Sequence, residues 1–312
     1  MCLLIALSGV LPGVPLLVAA NRDELYDRPT EVMTVLRERG PRILGGRDAV
    51  AGGTWLAVNS RGLVAGLTNQ PSARGRDDTR RSRGELPLAF AAYPDAATAV
   101  AKVCAELDPS DYNPCWLLVG DRHALFSVGM TGGHHPVVEQ LPPGTYVLEN
   151  VPLTDDSAKA RQVAAMVTAG LAGANRLDRS IGIDVAEQAL ADVLRDHRPA
   201  AGPQEPDAGA GGRELSGSRE LPGSRDGAAR RVRPAELSAA CVHTASYGTR
   251  SAVIVSVGAT GRPRVHVADG PPCQAPFEDA TALWTATGRN SASAPWTGRQ
   301  PDGSGFQRHP TH

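Results

Sequence analysis

Two unbroken apolar runs open the chain, Leu3–Leu7 and Leu16–Ala20. A run with no polar residue is the pattern of a strand buried on both faces. Gly9, Pro12, Gly13 and Pro15 stand between them, so the pattern predicts two strands around a turn rather than one helix. A signal peptide is disfavoured because no Lys or Arg precedes the run. Asn21-Arg22-Asp23-Glu24 follows at once, an abrupt switch from fully apolar to fully polar.

Further strands are predicted at Thr54–Val58 and Leu63–Thr68, across the hairpin signal Asn59-Ser60-Arg61-Gly62. Gly45-Gly46-Arg47-Asp48 and Gly52-Gly53 read as the flanks of a turn. Trp116–Val119 and Ala124–Val128 read as a hairpin, and Thr145–Leu148 as another strand. Ala239–Ala245, Ser251–Val257 and Arg264–Ala268 complete the set. Helices are predicted at Glu85–Ala92 and Asp95–Leu107, the second with Ala97, Val100, Ala101 and Cys104 at helical spacing. A third begins at a Thr154 cap with Asp155 and Asp156 in its first turn, and a fourth covers Val185–Arg195. Strands, then helices, then strands, without βαβ alternation, indicate an α+β fold with antiparallel sheets. Two sheets stacked face to face, each covered by helices, would bury strands that are apolar on both sides.

Residues 198–234 hold almost no large apolar residue, and Arg213–Ser218 nearly repeats as Arg219–Ser224. This is the composition of a disordered insertion. Residues 271–312, rich in Ser, Thr, Pro and Gly, read as a flexible tail. The domain is therefore expected to span 1–270.

Composition narrows the function. With a formal net charge of −1 the chain has no global field to draw nucleic acid or anionic membrane. The five cysteines (2, 104, 115, 241, 273) are odd in number and widely spaced, with no C-x-x-C. That argues against a disulfide framework or a zinc site, and fits a reducing cytoplasm. His134 and His135 are adjacent and point apart on a strand, a poor metal pair. No nucleotide-binding glycine motif, H-E-x-x-H or G-x-S-x-G is present. No cofactor or metal is expected.

Cys2 draws attention because Met1 before a small residue is commonly removed. That leaves a thiol and a free α-amine on one residue, and the amine, with a pKa near 8, can serve as base. The ordinary reading is a small buried residue opening a strand. If the first two strands pair, Asn21–Glu24 returns close to residue 2. There Arg22 would lower a thiol pKa, and Asp23 would hold an ammonium or orient a proton; the alternative is a salt-bridged turn. Asn69, Asn150 and Arg250 lie at predicted strand ends. Asn suits an oxyanion hole and Arg charge stabilisation, although Asn is also an ordinary turn residue. The arginines of the 71–84 loop read as a solvated surface or as a lid for an anionic substrate.

Met-Cys-Leu-Leu, Asn21-Arg22-Asp23-Glu24, Tyr26-Asp27-Arg28-Pro29, Gly45-Gly46-Arg47-Asp48, Gly52-Gly53-Thr54-Trp55-Leu56, Leu67-Thr68-Asn69, Ser82-Arg83-Gly84, Leu117–Asp121 and Tyr247–Ser251 occur in this order. Together they resemble the NRDE proteins, the transport-and-Golgi-organisation-2 family, over about residues 1–270. That family is similar to the choloylglycine hydrolase and penicillin V acylase branch of the N-terminal-nucleophile (Ntn) hydrolases. The resemblance implies a four-layer αββα sandwich with Cys2 as nucleophile and Arg22 and Asp23 beside it. It further implies a backbone oxyanion donor at the Leu67–Asn69 strand end, a side-chain donor at Asn150 and a supporting charge at Arg250. Glu149 departs from the family, where a small Ser is usual. The implied function is hydrolysis of a small-molecule C–N amide through an acyl-thioester on Cys2. Family links to haem trafficking keep a non-catalytic carrier of haem or another small molecule open, and an interaction scaffold built on the insertion is a third reading.

Overall fold

The computed structural model describes residues 2–72, 75–172, 179–200 and 237–286. Met1 and nearly all of the expected 198–234 insertion lie outside the described residues. In chain order the strands are β1 (Cys2–Leu11), β2 (Val14–Leu25), β3 (Thr30–Arg37), β4 (Ile43–Asp48), β5 (Leu56–Asn59) and β6 (Val64–Asn69). Helices α1 (Glu85–Ala91) and α2 (Ala96–Glu106) follow, then β7 (Cys115–Gly120), β8 (Leu125–Met130), β9 (Val137–Leu141) and β10 (Gly144–Leu148). Helices α3 (Ala158–Leu171) and α4 (Arg179–Leu194) precede β11 (Tyr247–Val257), β12 (Arg264–Ala268) and β13 (Glu278–Asp279).

These strands make two antiparallel sheets, ordered β10-β1-β2-β11-β12-β13 and β3-β4-β5-β6-β7-β8-β9. Strand alternation sends Leu3, Ile5 and Leu7 to one side of β1, against Val163 and Val167 of α3 and Leu190 and Leu194 of α4. Leu4 and Ala6 point the other way and meet Leu56, Val64 and Leu118 of the second sheet. The outer face of that sheet packs Ala65, Leu67 and Leu117 on Leu86 and Phe90 of α1 and Val100 and Val103 of α2. Helix, sheet, sheet, helix is the expected αββα order, and it explains why β1 and β2 are apolar on both faces.

Several elements differ from the pattern-based expectation. Asn21–Glu24 does not leave the strand. It continues β2, because β1 and β11 pair with it on both sides. Gly45–Asp48, read as one flank of a turn, is itself strand, and its glycines make room for neighbours. The third helix starts at a Ser157 cap, whose hydroxyl accepts from the Ala160 N–H at 3.2 Å, rather than at Thr154. Ala239–Ala245 forms bends with one bridge, His243 to Gly248, and no strand. The expected tail at 271 is packed as far as the description reaches. Phe277 joins the helix-side core, and Trp284 is buried with Nε1 donating to the Pro263 carbonyl at 2.9 Å. One tryptophan in a polar stretch anchors what composition assigns to a tail. Among the described residues no helix is long and apolar enough to cross a membrane.

Candidate active site

Cys2 opens β1, which lies between β10 and β2. It is paired with Arg22 on β2. On the other side Leu4 pairs with Leu148, and the same register extended by two residues sets Asn150 level with Cys2. By alternation the thiol shares the face of Leu4 and Ala6, so it points between the two sheets.

Arg22 lies on the same inner face and is almost fully buried. Its guanidinium stacks 4.5 Å from the centre of the Trp55 ring, a favourable cation–π contact. Nη2 lies 3.5 Å from Glu24 Oε2, while the buried Nη1 makes no hydrogen bond within the described residues. The position of Trp55 depends on Gly46. A Cβ there would lie 1.9 Å from the indole ring, so only glycine lets the ring lie flat on β4. The Gly-Gly-Arg-Asp and Gly-Gly-Thr-Trp-Leu blocks thus belong together as packing for Arg22. Trp55 also borders a small solvent-reaching cleft with Met33, Gly46 and Ser251.

Asp23 faces the opposite side of β2 and is buried. Its Oδ1 accepts from the Thr249 hydroxyl at 2.6 Å, and its carbonyl accepts from the Tyr247 hydroxyl at 3.1 Å. Burial pushes the carboxyl above the usual carboxylate range, while Lys159, the Thr249 bond and Arg22 favour the charged form. Lys159 is itself buried on α3. Beside Asp23, Asn21 Nδ2 donates to the carbonyls of Leu194 and Ala240 at 2.9 and 2.8 Å. Asn21 therefore fastens β2 to the end of α4 and to the loop before β11.

Asn150 is buried, and its Nδ2 donates to the Asn69 carbonyl at the end of β6. This bond joins the two sheets next to Cys2. The Glu149 carboxylate accepts from the Ser157 hydroxyl at the start of α3, so its partner is that helix cap. Arg250 sits in a bulge between Thr249 and Ser251. Its Nη1 donates to the carbonyls of Leu25, Tyr26 and Arg28, at 2.9 Å for Leu25 and 3.5 Å for Arg28. Of the six residues singled out from sequence, five gather at the strand ends. Arg250 is occupied with closing the turn after β2.

Burial raises the Cys2 thiol above its ordinary value. Asp23 adds to the rise, and Arg22 and the Asp23 backbone N–H oppose it. Arg83 is a second, half-buried cation in the field of Cys2, and its partial burial lowers its pKa. Sequence reading did not select Thr249, Lys159 or Trp55, and took Arg83 only as one of the arginines of the 71–84 loop. Thr249 and Trp55 lay within motif blocks whose individual roles only tertiary contact shows. Lys159 carried no local signal.

Residues 1–269 match the family described as Transport and Golgi organisation 2. The chain belongs to this family. It is 31% identical over 257 residues to the Transport and Golgi organization protein 2 homolog of Bos taurus, covering 79% of this chain and 83% of the relative. The Homo sapiens homolog is 30% identical over 259 residues, with the same coverage. Solved structures are more distant. Penicillin V acylase from Agrobacterium tumefaciens is 10% identical with a TM-score of 0.47, covering 90% of this chain and 98% of that one. The C2A mutant of conjugated bile acid hydrolase from Clostridium perfringens is 9% identical with a TM-score of 0.45, covering 89% and 96%. For this member of the transport and Golgi organisation 2 family, the chemistry is read from its own side chains.

Proposed function

We propose that the chain is an N-terminal-cysteine amidohydrolase acting on a small amide. One observation carries the reading: the Cys2 thiol stands at a strand end on the same face as the Arg22 guanidinium, and the charges of Arg22 and of the buried, Thr249-bonded Asp23 on the opposite face of β2 both act on it. With Met1 removed, the Cys2 amine takes the thiol proton as sulfur attacks the amide carbon. A base on the same residue suits a thiol whose pKa is raised by burial. Asn150 Nδ2 carries two protons and uses one on Asn69, leaving one for the oxyanion. The ammonium then returns its proton to the leaving nitrogen, the C–N bond breaks and an amine departs. Water attacks the thioester next, giving a carboxylic acid and the free thiol. Asp23 holds the ammonium form of the amine, and Arg22 keeps an unused N–H for the acyl group.

The test is incubation with a panel of small amides, acid quench and mass analysis of the N-terminal peptide. An acyl adduct on Cys2 that decays with release of acid is expected. No adduct and no turnover, with haem binding at one equivalent by absorbance titration, would contradict the reading.

A further inference from the structure

Four side chains unused by the Cys2 chemistry meet beyond the C-terminal end of α4. His197 follows that helix, Cys241 and His243 form a Cys-x-His pair before β11, and Cys273 lies in the loop after β12. One ligand atom from each lies within 4.8 Å of all the others. His243 Nε2 is 3.3 Å from Cys273 Sγ and 3.6 Å from Cys241 Sγ. A tetrahedral ion with bonds of about 2.3 Å to sulfur and about 2.0–2.1 Å to nitrogen sets its ligand atoms roughly 3.3–3.8 Å apart. Both His243 distances already fit that edge.

We propose that His197, Cys241, His243 and Cys273 form a structural zinc site. Two sulfurs and two imidazoles in a tetrahedral set select Zn²⁺ over harder divalent ions. Two thiolates would cancel its charge, which suits a centre built on the buried Cys241. The surrounding bonds hold the ligands in place. His197 Nδ1 lies 3.2 Å from the Cys241 carbonyl. As donor there it leaves Nε2 with the free lone pair, the usual outer contact of a metal-bound histidine. The Cys241 N–H donates to the Asp196 carbonyl at 2.8 Å, and Arg195 Nε donates to the Pro272 carbonyl at 3.1 Å. All four positions of the ion would be filled by protein, so its role is to staple three segments. The loop it fixes also carries Ala240, whose carbonyl receives Asn21. The wide spacing of the ligands hid the site from a search for C-x-x-C.

The test uses the full chain, purified reduced and stripped with a chelator, then titrated with Co²⁺. One equivalent with a thiolate-to-cobalt charge-transfer band and tetrahedral d–d bands is expected, displaced by Zn²⁺. Cys273→Ser, at a partly exposed loop position, should weaken the band and lower zinc affinity by more than about tenfold, while Cys104→Ser leaves both unchanged. Weak binding without a charge-transfer band would overturn the site. So would an affinity indifferent to Cys273→Ser, or a Cys241–Cys273 disulfide in freshly reduced protein. These readouts need no turnover, so they stand apart from the fate of the Cys2 reading.

Discussion

Cys2 and Cys115 each open a strand, one in each of the two facing sheets, and each has an arginine in its field. Cys115 points to the helix side, among Leu117, Phe90 and Met130, with no exposed surface. Burial pushes its thiol up to about 12. Cys2 points between the sheets, keeps partial exposure, and is paired with a strand whose end turns from Ala19-Ala20 to Asn21-Arg22-Asp23. Opening a strand therefore confers nothing on a cysteine. The neighbouring strand's polar end separates a packed thiol from one poised for chemistry.

The sharpest way to break this contrast is to exchange the sulfurs. Cys2→Ser should keep the fold and lose on the order of 10³-fold or more in turnover, because the alcohol is a far poorer nucleophile than the thiol. Cys115→Ser should leave turnover intact and cost about 1–3 kcal/mol of stability, the penalty of a hydroxyl in an apolar site. Denaturant melts and the amide assay on both variants distinguish the two roles. Equal loss of turnover from both would erase the contrast.

Asn150→Ala comes next, at about two to three decades in turnover. A variant that melts earlier yet turns over normally would make Asn150 a tie between the sheets and nothing more. Gly46→Ala should act through Trp55. The added methyl displaces the ring from Arg22, at about 1–3 kcal/mol of overpacking, read by thermal melting and tryptophan fluorescence. The smallest effect is electrostatic. Asp23 raises the Cys2 thiol pKa and Arg22 lowers it. Asp23→Asn should therefore shift the alkylation midpoint of Cys2 to lower pH, and Arg22→Gln to higher pH. Shifts in the same direction would detach the thiol from this pair.

Much of this layout was legible in the sequence, for physical reasons. β1, β2 and β12 are apolar enough to announce themselves, and Asp95 caps α2 as its position predicts, accepting from the Thr98 N–H at 2.7 Å. β3 was missed because each of its residues is half-buried, so no alternation marks it. β4 was recognised only as the flank of a turn, because Gly45-Gly46 carries no strand signal unless the ring that needs the space is known. β9 exposes Val137 and Val138, leaving a weak strand signal. The candidate site was legible where it follows chain order, at Cys2 and Arg22-Asp23. Thr249 and Lys159 reach Asp23 from distant elements, and no spacing rule relates them to residue 2. Arg250 read as a site charge, and its hydrogen bonds go to the turn after β2.

The account rests on Cys2 being the first residue of the working protein, with its amine free. Intact mass and N-terminal peptide analysis of purified protein, followed by labelling with a thiol-reactive acyl probe, measures this directly. The account predicts loss of Met1 and one label per chain on Cys2, absent in Cys2→Ser, with Cys104, Cys115, Cys241 and Cys273 unlabelled. Fully active protein that keeps Met1, or label shared equally among the cysteines, would contradict it.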